Sequence, residues 1–373
     1  MRKNLEVNDL KKIVCISAIR WDDMKQRIQH LMMQLSKDFE VLYVNPAFDY
    51  SKALKYKKQK GYFPKEYIKV NNNLHVISPI IPFSIRKVQS VNKFFRKIYF
   101  SKFVNQYIDK LNFGSEAIVF VSDIYAVDVL KDIKYSKLVY DCCDEVAEFS
   151  SSYKEVATKN ENYLIENADV LFCSAQNLYD RLILKNPNVH IVRNAAEYEH
   201  FADALCNNGH GIGFVGAVAD WINTDIIQCL AENLPEEQLH IIGPVSVNVD
   251  EIKKLENVKF YGKQDYVNLP ELLKNFKVAI APFKINSLTL SVNPIKFYEY
   301  CSAEKITVAT RLPELEAYEP NIFIVDTKED FLRKVKFALE MQDDDFIKKV
   351  KEIGRSNSWE ARAEVISNIL TNI

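Results

Sequence analysis

Glycine is scarce in this chain, with nine in 373 residues. The loop after the first apolar run, Ser17-Ala18-Ile19-Arg20-Trp21-Asp22-Asp23, holds none. That excludes a Gly-x-Gly-x-x-Gly dinucleotide fingerprint there, and no P-loop occurs elsewhere. No apolar run approaches the ~18 residues of a membrane span. The stretch from Leu74 to Ile85 is short and carries Pro79 and Pro82. No signal-peptide pattern opens the chain, which starts on Met1-Arg2-Lys3 and becomes apolar only at Ile13. A soluble or peripheral protein is expected.

The seven cysteines (Cys15, Cys142, Cys143, Cys173, Cys206, Cys229 and Cys301) are odd in number and mostly sit in apolar runs. This fits reduced, buried thiols in a cytosol better than a disulfide framework. Cys142-Cys143 has no second pair at zinc spacing, so no metal site is expected. No histidine neighbours a serine or cysteine in a way that suggests a hydrolase triad, and His30 reads as a structural helix residue.

What is present is a charge asymmetry under a net charge of −1. Residues 1–110 hold 22 lysines and arginines against 9 acids; the remainder holds 27 against 41. Lys52, Lys55, Lys57, Lys58, Lys60, Lys65 and Lys69 lie among Tyr56, Tyr62, Phe63 and Tyr67. A second basic-aromatic run spans Arg86 to Phe103. Such a surface, over 50–103, suits an anionic membrane face. Nucleic-acid phosphates are the weaker alternative, and no nucleic-acid partner is expected.

Apolar strands alternate with helical stretches in two series. Strands are expected at Ile13–Ile16, Val41–Val44, Ala117–Val121, Leu138–Tyr140, Val170–Cys173 and His190–Val192. Helices fall at Met24–Leu35, Lys87–Leu111, Tyr153–Asn167 and Asn177–Lys185, with a lysine-rich loop near residue 55. Asn194–Gly211 reads as a linker. The second series has strands at Ile212–Val215, His240–Ile242, Val258–Tyr261, Val278–Ala281, Ile306–Ala309 and Ile322–Val325, and a closing helix at Trp359–Leu370. The pattern predicts two α/β domains, 1–205 and 206–356, with the final helix at 357–373 returning to the first. Ligands would lie beyond the carboxyl ends of the strands, in a cleft between the domains.

The most informative segment is Asn293 to Thr310. Pro294 suits the first turn of a helix, and Lys296 and Glu299, three apart, share one face near its N-terminus. Free N–H groups and a lysine can hold a diphosphate, and an acid one turn in can accept sugar hydroxyls. Gly216 and Trp221 follow one strand, Gly243 and Pro244 another, and Lys263 a third. In the first series Asp141, Asp144 and Glu145 cluster at a strand end. Asp144 is the candidate general base and Asp22 the secondary one.

With these residues in view, the chain resembles the GT-B glycosyltransferases. It is most similar to bacterial polysaccharide enzymes of the teichuronic-acid type, and more distantly to the xanthan-type glucuronosyltransferase. The resemblance is carried by Trp21 with Gln26–Leu31, Tyr140–Asp144, Arg193-Asn194-Ala195, Gly213–Trp221, Ile242-Gly243-Pro244, Tyr261-Gly262-Lys263 and Asn293–Thr310. It implies two Rossmann-like domains facing a cleft. It also implies a nucleoside-diphosphate sugar, UDP before GDP, held by the second domain through Gly216, Trp221, Gly243, Lys263, Asn293, Lys296 and Glu299. The acceptor, a glycan or lipid-linked sugar, would sit on the first domain. The expected setting is cell-surface polysaccharide synthesis, in the cytoplasm at the inner membrane face, with no metal or other cofactor. The sequence departs from the family pattern at Ser291, eight before Glu299, where many retaining members have glutamate. Glu304 and Ile306 stand where glycine and proline are usual, and Ala217–Asn223 holds no Arg/Lys pair. These departures suit an inverting enzyme somewhat better and leave stereochemistry open. The alternatives are a degenerate GT-B partner subunit that binds glycan, and a sugar-nucleotide 2-epimerase.

Overall fold

The computed structural model describes residues 10–82, 94–145, 154–205 and 210–373. Residues 87–93 of one expected helix, the 83–93 part of the basic-aromatic run, Tyr153, Cys206 and Asn207-Asn208-Gly209 lie outside them. The chain divides into two compact units. The first comprises Met1–Cys173, Leu178–Val192 and Ala363–Ile373; the second, Ser174–Asn177 and Arg193–Arg362.

The first unit is built on ten short strands among the described residues: β1 (Lys12–Ile16), β2 (Glu40–Val44), β3 (Phe48–Asp49), β4 (Tyr67–Lys69), β5 (Leu74–Ile77), β6 (Ile80–Ile81), β7 (Ile118–Val121), β8 (Lys137–Cys142), β9 (Val170–Cys173) and β10 (Val189–Ile191). Eight make one sheet in the order β10-β9-β8-β7-β1-β2-β5-β4; β3 and β6 pair separately. All ladders are parallel except β4 on β5. The parallel strands read as unbroken apolar runs because both faces are covered: Ile13 to Ile16, Val41 to Val44 and Val170 to Cys173 are buried throughout. The chain leaves β1 toward β2 and β5, then returns to the other side of β1 with β7. The strand order therefore reverses at β1/β7, where α/β sheets place ligands.

Two elements of this unit differ from the sequence reading. Residues Tyr50–Lys60 form a helix rather than a loop. Asp49 caps it by accepting from the Lys52 N–H at 2.9 Å, and Gly61 ends it in the left-handed region, φ +84°. Its lysines hid a helix with only Ala53 buried. Leu74–Ile77 is a fully buried strand between β2 and β4; the prolines that obscured it fall after its end.

Among the described residues the second unit has six parallel strands: β11 (Ile212–Val215), β12 (Leu239–Ile242), β13 (Val258–Gly262), β14 (Val278–Ala281), β15 (Ile306–Thr310) and β16 (Phe323–Val325). Their order, β13-β12-β11-β14-β15-β16, is the doubly wound Rossmann order, with its reversal at β11/β14. Val278 to Ala281 and Ile306 to Thr310 are buried; helix Lys328–Glu340 packs on both strands and on helix Thr224–Asn233, and helix Ile295–Ser302 packs on β15. Helix Asp344–Ser356, unforeseen in the sequence, packs on helix Ile295–Ser302 so closely that a Cβ on Gly354 would stand 2.5 Å from the Ser302 nitrogen.

The boundary between the units falls at Arg193, not after residue 205. The expected linker is largely packed structure. Ala195, Ala196, Phe201 and Ala204 are wholly buried, and Tyr198–Phe201 forms a helical turn. Its polar composition concealed apolar residues at core spacing. The closing helix runs Trp359–Thr371. At its end Lys11 Nζ donates to the carbonyls of Leu370, Thr371 and Ile373, and Ser367 bonds Asp38, all within the first unit.

Candidate functional site

In the second unit, three adjacent strands end on glycine. Gly216 N–H donates to the Ile242 carbonyl at 2.9 Å, and Gly243 N–H to the Gly262 carbonyl at 2.9 Å. Gly243 has φ +145°, and a Cβ there would meet the Gly216 carbonyl oxygen at 1.9 Å. The glycine is required by that close approach as well as by its backbone angle. The loop after β11 is tied on both sides. Val218 pairs with the chain after β12, while Asn223 N–H bonds the Pro282 carbonyl and Lys284 N–H the Trp221 carbonyl, both at 2.8 Å. The mouth at the β11/β14 reversal is thus a fixed backbone surface. Trp221 is half-buried and packs on the hydrophobic core, which makes it a wall of that loop.

Helix Ile295–Ser302 follows β14 with Pro294 at its cap position rather than within its first turn, so the helix begins one residue later than the sequence suggested. No side chain caps it; the Phe297 N–H bonds the Pro294 carbonyl at 3.1 Å, and the N–H groups before it have no side-chain cap. Lys296 Nζ lies 2.7 Å from Glu299 Oε2; the Lys296 side chain is 27% exposed and that of Glu299 4%. The Tyr300 hydroxyl accepts the Val215 N–H at 2.8 Å, which docks the helix directly beside Gly216. The tyrosine next to the predicted acid is therefore the positioning contact. Only its place at the end of β11 reveals it, and the sequence offered no signal for that. Tyr266, after β13, stacks on His200 at 4.5 Å. Burial, with Glu299 and Glu197 nearby, pushes its hydroxyl well above the usual tyrosine range. Lys263 is exposed, and among the described residues no hydrogen bond or ion pair holds it.

Asn293 is engaged within the protein. Its side chain accepts the Asn194 N–H at 2.9 Å and donates to Tyr298 Oη at 3.1 Å and Glu314 Oε2 at 2.9 Å. Its position is that of a support beneath the helix start rather than of a ligand-facing group. Glu314, absent from the sequence reading, is the buried hub here. It also accepts from the Gln176 N–H at 2.6 Å and Arg193 Nε at 2.9 Å.

In the first unit the three carboxylates at the end of β8 have separate fates. Asp141 is buried in a two-pronged pair with Arg27, with Nε–Oδ2 2.9 Å and Nη2–Oδ1 2.8 Å; Arg27 Nη1 also holds the Val192 carbonyl at 2.7 Å. Glu145 faces Arg181 at 3.3 Å. Among the described residues no ion pair holds Asp144. Burial raises its carboxyl from the ordinary range to about 6, near the value that serves a general base at neutral pH. Asp22 is different: Arg20 Nε donates to one oxygen at 3.0 Å and the Tyr56 hydroxyl to the other. Both of its oxygens have protein partners, which suits a positioning role.

The chain and its fold find parallels among known proteins. No family model matches the chain. It is 26% identical over 255 residues to TuaH of Bacillus subtilis (strain 168), assigned by its name to teichuronic acid biosynthesis as a glycosyltransferase. The match covers 60% of this chain and 64% of that protein, less than two thirds of the relative's length. Among solved structures, sucrose-phosphate synthase of Thermosynechococcus elongatus superposes with a TM-score of 0.75 at 14% identity, covering 97% of this chain and 98% of that one. HepE of Anabaena, solved with UDP-glucose, gives 0.66 at 13% identity, covering 97% and 100%. The fold is GT-B, two Rossmann-like α/β units in one chain.

Proposed function

We propose that this protein is a glycosyltransferase that moves a sugar from a nucleoside diphosphate, UDP foremost, to a glycan or lipid-linked acceptor in bacterial cell-surface polysaccharide synthesis. The observation that carries this reading is the start of helix Ile295–Ser302, which lacks a side-chain cap, with Lys296 on it and Tyr300 docked beside Gly216. Helix N–H groups and an ammonium are suited to a diphosphate, and the buried Glu299 carboxylate to ribose hydroxyls. Gly262, with nothing within 4 Å of where its Cβ would be, leaves backbone open to a nucleotide, and exposed Lys263 adds a cation beside it. TuaH is a glycosyltransferase by name, and HepE binds UDP-glucose.

In the proposed reaction Asp144 takes the proton of the acceptor hydroxyl. That oxygen forms a bond to the anomeric carbon as the carbon–phosphate-oxygen bond breaks. The nucleoside diphosphate leaves with the electron pair, its charge met by Lys296 and the helix start, without a resident metal or other cofactor. A single displacement of this kind inverts the anomeric centre. The first unit is proposed to bind the acceptor.

The protein is further proposed to work in the cytoplasm against the inner membrane face. Among the described residues no helix is long and apolar enough to cross a membrane. Tyr50, Leu54, Tyr62 and Phe63 are exposed on and after the helix that carries Lys52, Lys55, Lys57, Lys58 and Lys60, a pairing of insertion and charge suited to anionic headgroups. Calorimetry with UDP- and GDP-sugars tests the core of the reading. Micromolar to millimolar binding that Lys296→Ala weakens is expected. No binding by the wild type, together with an unchanged Lys296→Ala in a working transfer assay, would sink it.

A further inference from the structure

We infer that Glu314 is a positioning residue: acting through Asn293, it fixes the start of helix Ile295–Ser302 and so places the groups proposed to hold the donor diphosphate. Glu314 stands in the short helix Pro313–Glu316, just past the end of β15, and its side chain is only 2% exposed. It therefore acts through its neighbours and not by touching a ligand. Three donors from separate stretches of the second unit converge on it. Oε1 accepts the Gln176 N–H at 2.6 Å, and Oε2 accepts Arg193 Nε and Asn293 Nδ2, both at 2.9 Å. Every partner donates, so a side chain that accepts at both ends is required. Glutamine has the same reach but would turn its NH2 group toward one of these donors.

Asn293 carries the constraint onward. It is buried and directly precedes Pro294, the cap residue of the helix. Its side-chain nitrogen donates to Glu314 and, at 3.1 Å, to the Tyr298 hydroxyl inside the helix. Its side-chain oxygen accepts the Asn194 N–H at 2.9 Å, and its backbone carbonyl accepts Asn194 Nδ2 at 2.6 Å. The amide is held from both ends, and the backbone that enters the helix is held with it. Because no side chain caps this helix, the setting of its first N–H groups depends on the chain that leads into it. Lys296, whose Nζ lies 2.7 Å from Glu299, stands on that same first turn. A buried ion pair adds little stability over apolar packing; its use at Glu314 is to select one arrangement of the segments that meet there.

That the helix start holds a donor rests on the glycosyltransferase reading; the Glu314–Asn293 link does not, and two measurements on the full chain separate them. The first is amide hydrogen exchange without ligand. Glu314→Gln should speed exchange of the Phe297–Tyr300 amides about tenfold or more and leave those of β11 and β14 unchanged. Arg193→Gln removes another partner of the same oxygen but spares Asn293, so it should leave the helix amides within about twofold of wild type. The second is calorimetry. Glu314→Gln should weaken UDP about tenfold and leave uridine within about twofold, since only the diphosphate meets the helix start. In a Lys296→Ala background the same change should cost UDP no more than about threefold, because the cation being placed is gone. Should Glu314→Gln unfold, Asn293→Ala cuts the same link from the helix side and carries the same expectations. Unchanged exchange overturns the proposal, and so does equal acceleration in Arg193→Gln, which would mark general loosening. Faster exchange with unaltered UDP affinity, or an equal loss for uridine, overturns the placing of the diphosphate. If the wild type binds neither UDP nor uridine, the donor reading falls, and the exchange result still decides whether Glu314 fixes the helix start.

Discussion

The carbonyl oxygen of Gly216 stands 1.9 Å from where a Cβ on Gly243 would be, so these two strand ends are packed backbone against backbone. Gly243→Ala should therefore lose about 2–3 kcal/mol in urea unfolding, from overpacking and a disfavoured backbone angle together. Gly262 has φ +65° but nothing within 4 Å of where its Cβ would be, so Gly262→Ala should lose only about 1 kcal/mol. Equal losses at the two positions would contradict the close-approach argument.

Lys296→Ala should weaken UDP tenfold or more, consistent with about 1.5–3 kcal/mol for a charged hydrogen bond. Uridine, which has no diphosphate, should bind the variant as it binds the wild type. Calorimetry with both ligands checks this. A parallel loss for uridine would place Lys296 at the nucleoside, or assign it only to supporting Glu299.

Transfer activity should rise with pH through about 6 and then level, because the Asp144 carboxyl is raised to about 6 and acts when ionised. Asp144→Asn should lower kcat by about 10²-fold or more and abolish that limb. The stability effect has the opposite sense to that of a salt-bridged acid. The folded protein holds this proton more tightly than the unfolded chain, so stability falls as pH rises from about 4 to 6. Asp144→Asn should be more stable than wild type at pH 7, by up to about 2 kcal/mol. Urea midpoints at pH 4 and pH 7 test the sign.

Asp141→Asn should cost about 3–5 kcal/mol, since it leaves the buried Arg27 guanidinium without its counter-charge. Replacing both partners with apolar side chains, Arg27→Met together with Asp141→Leu, should recover most of that stability. Urea unfolding of the single and double variants checks both statements. A stable but inactive Asp141→Asn would move the base from Asp144 to Asp141.

Reversing three exposed lysines, Lys52→Glu, Lys55→Glu and Lys58→Glu, should reduce flotation with phosphatidylserine vesicles about 100-fold or more. Each lysine near such a surface contributes about 1 kcal/mol. The urea midpoint should barely move, because these side chains lie on the solvent side of their helix. Retained flotation would reject this face as the membrane contact.

Much of the architecture could be read along the chain because it is a local property. Buried parallel strands are unbroken apolar runs, and Ile13–Ile16, Val170–Cys173, Ile212–Val215 and Val278–Ala281 announced themselves that way. The Lys296/Glu299 pairing follows from helix spacing, and the glycines at the ends of β11 to β13 follow from their position after such runs. Helix Tyr50–Lys60 and the packed segment from Arg193 were not legible, because their apolar faces are too small to outweigh a polar composition. The division of labour among Asp141, Asp144 and Glu145 was decided by folding alone. Arg27, 114 residues away, neutralises one, Arg181 another, and Asp144 is left without an ion pair among the described residues. The three donors on Glu314 likewise come together only in the folded chain, from Gln176, Arg193 and Asn293. Adjacent residues share a sequence pattern, but their charge states depend on partners that the pattern does not contain.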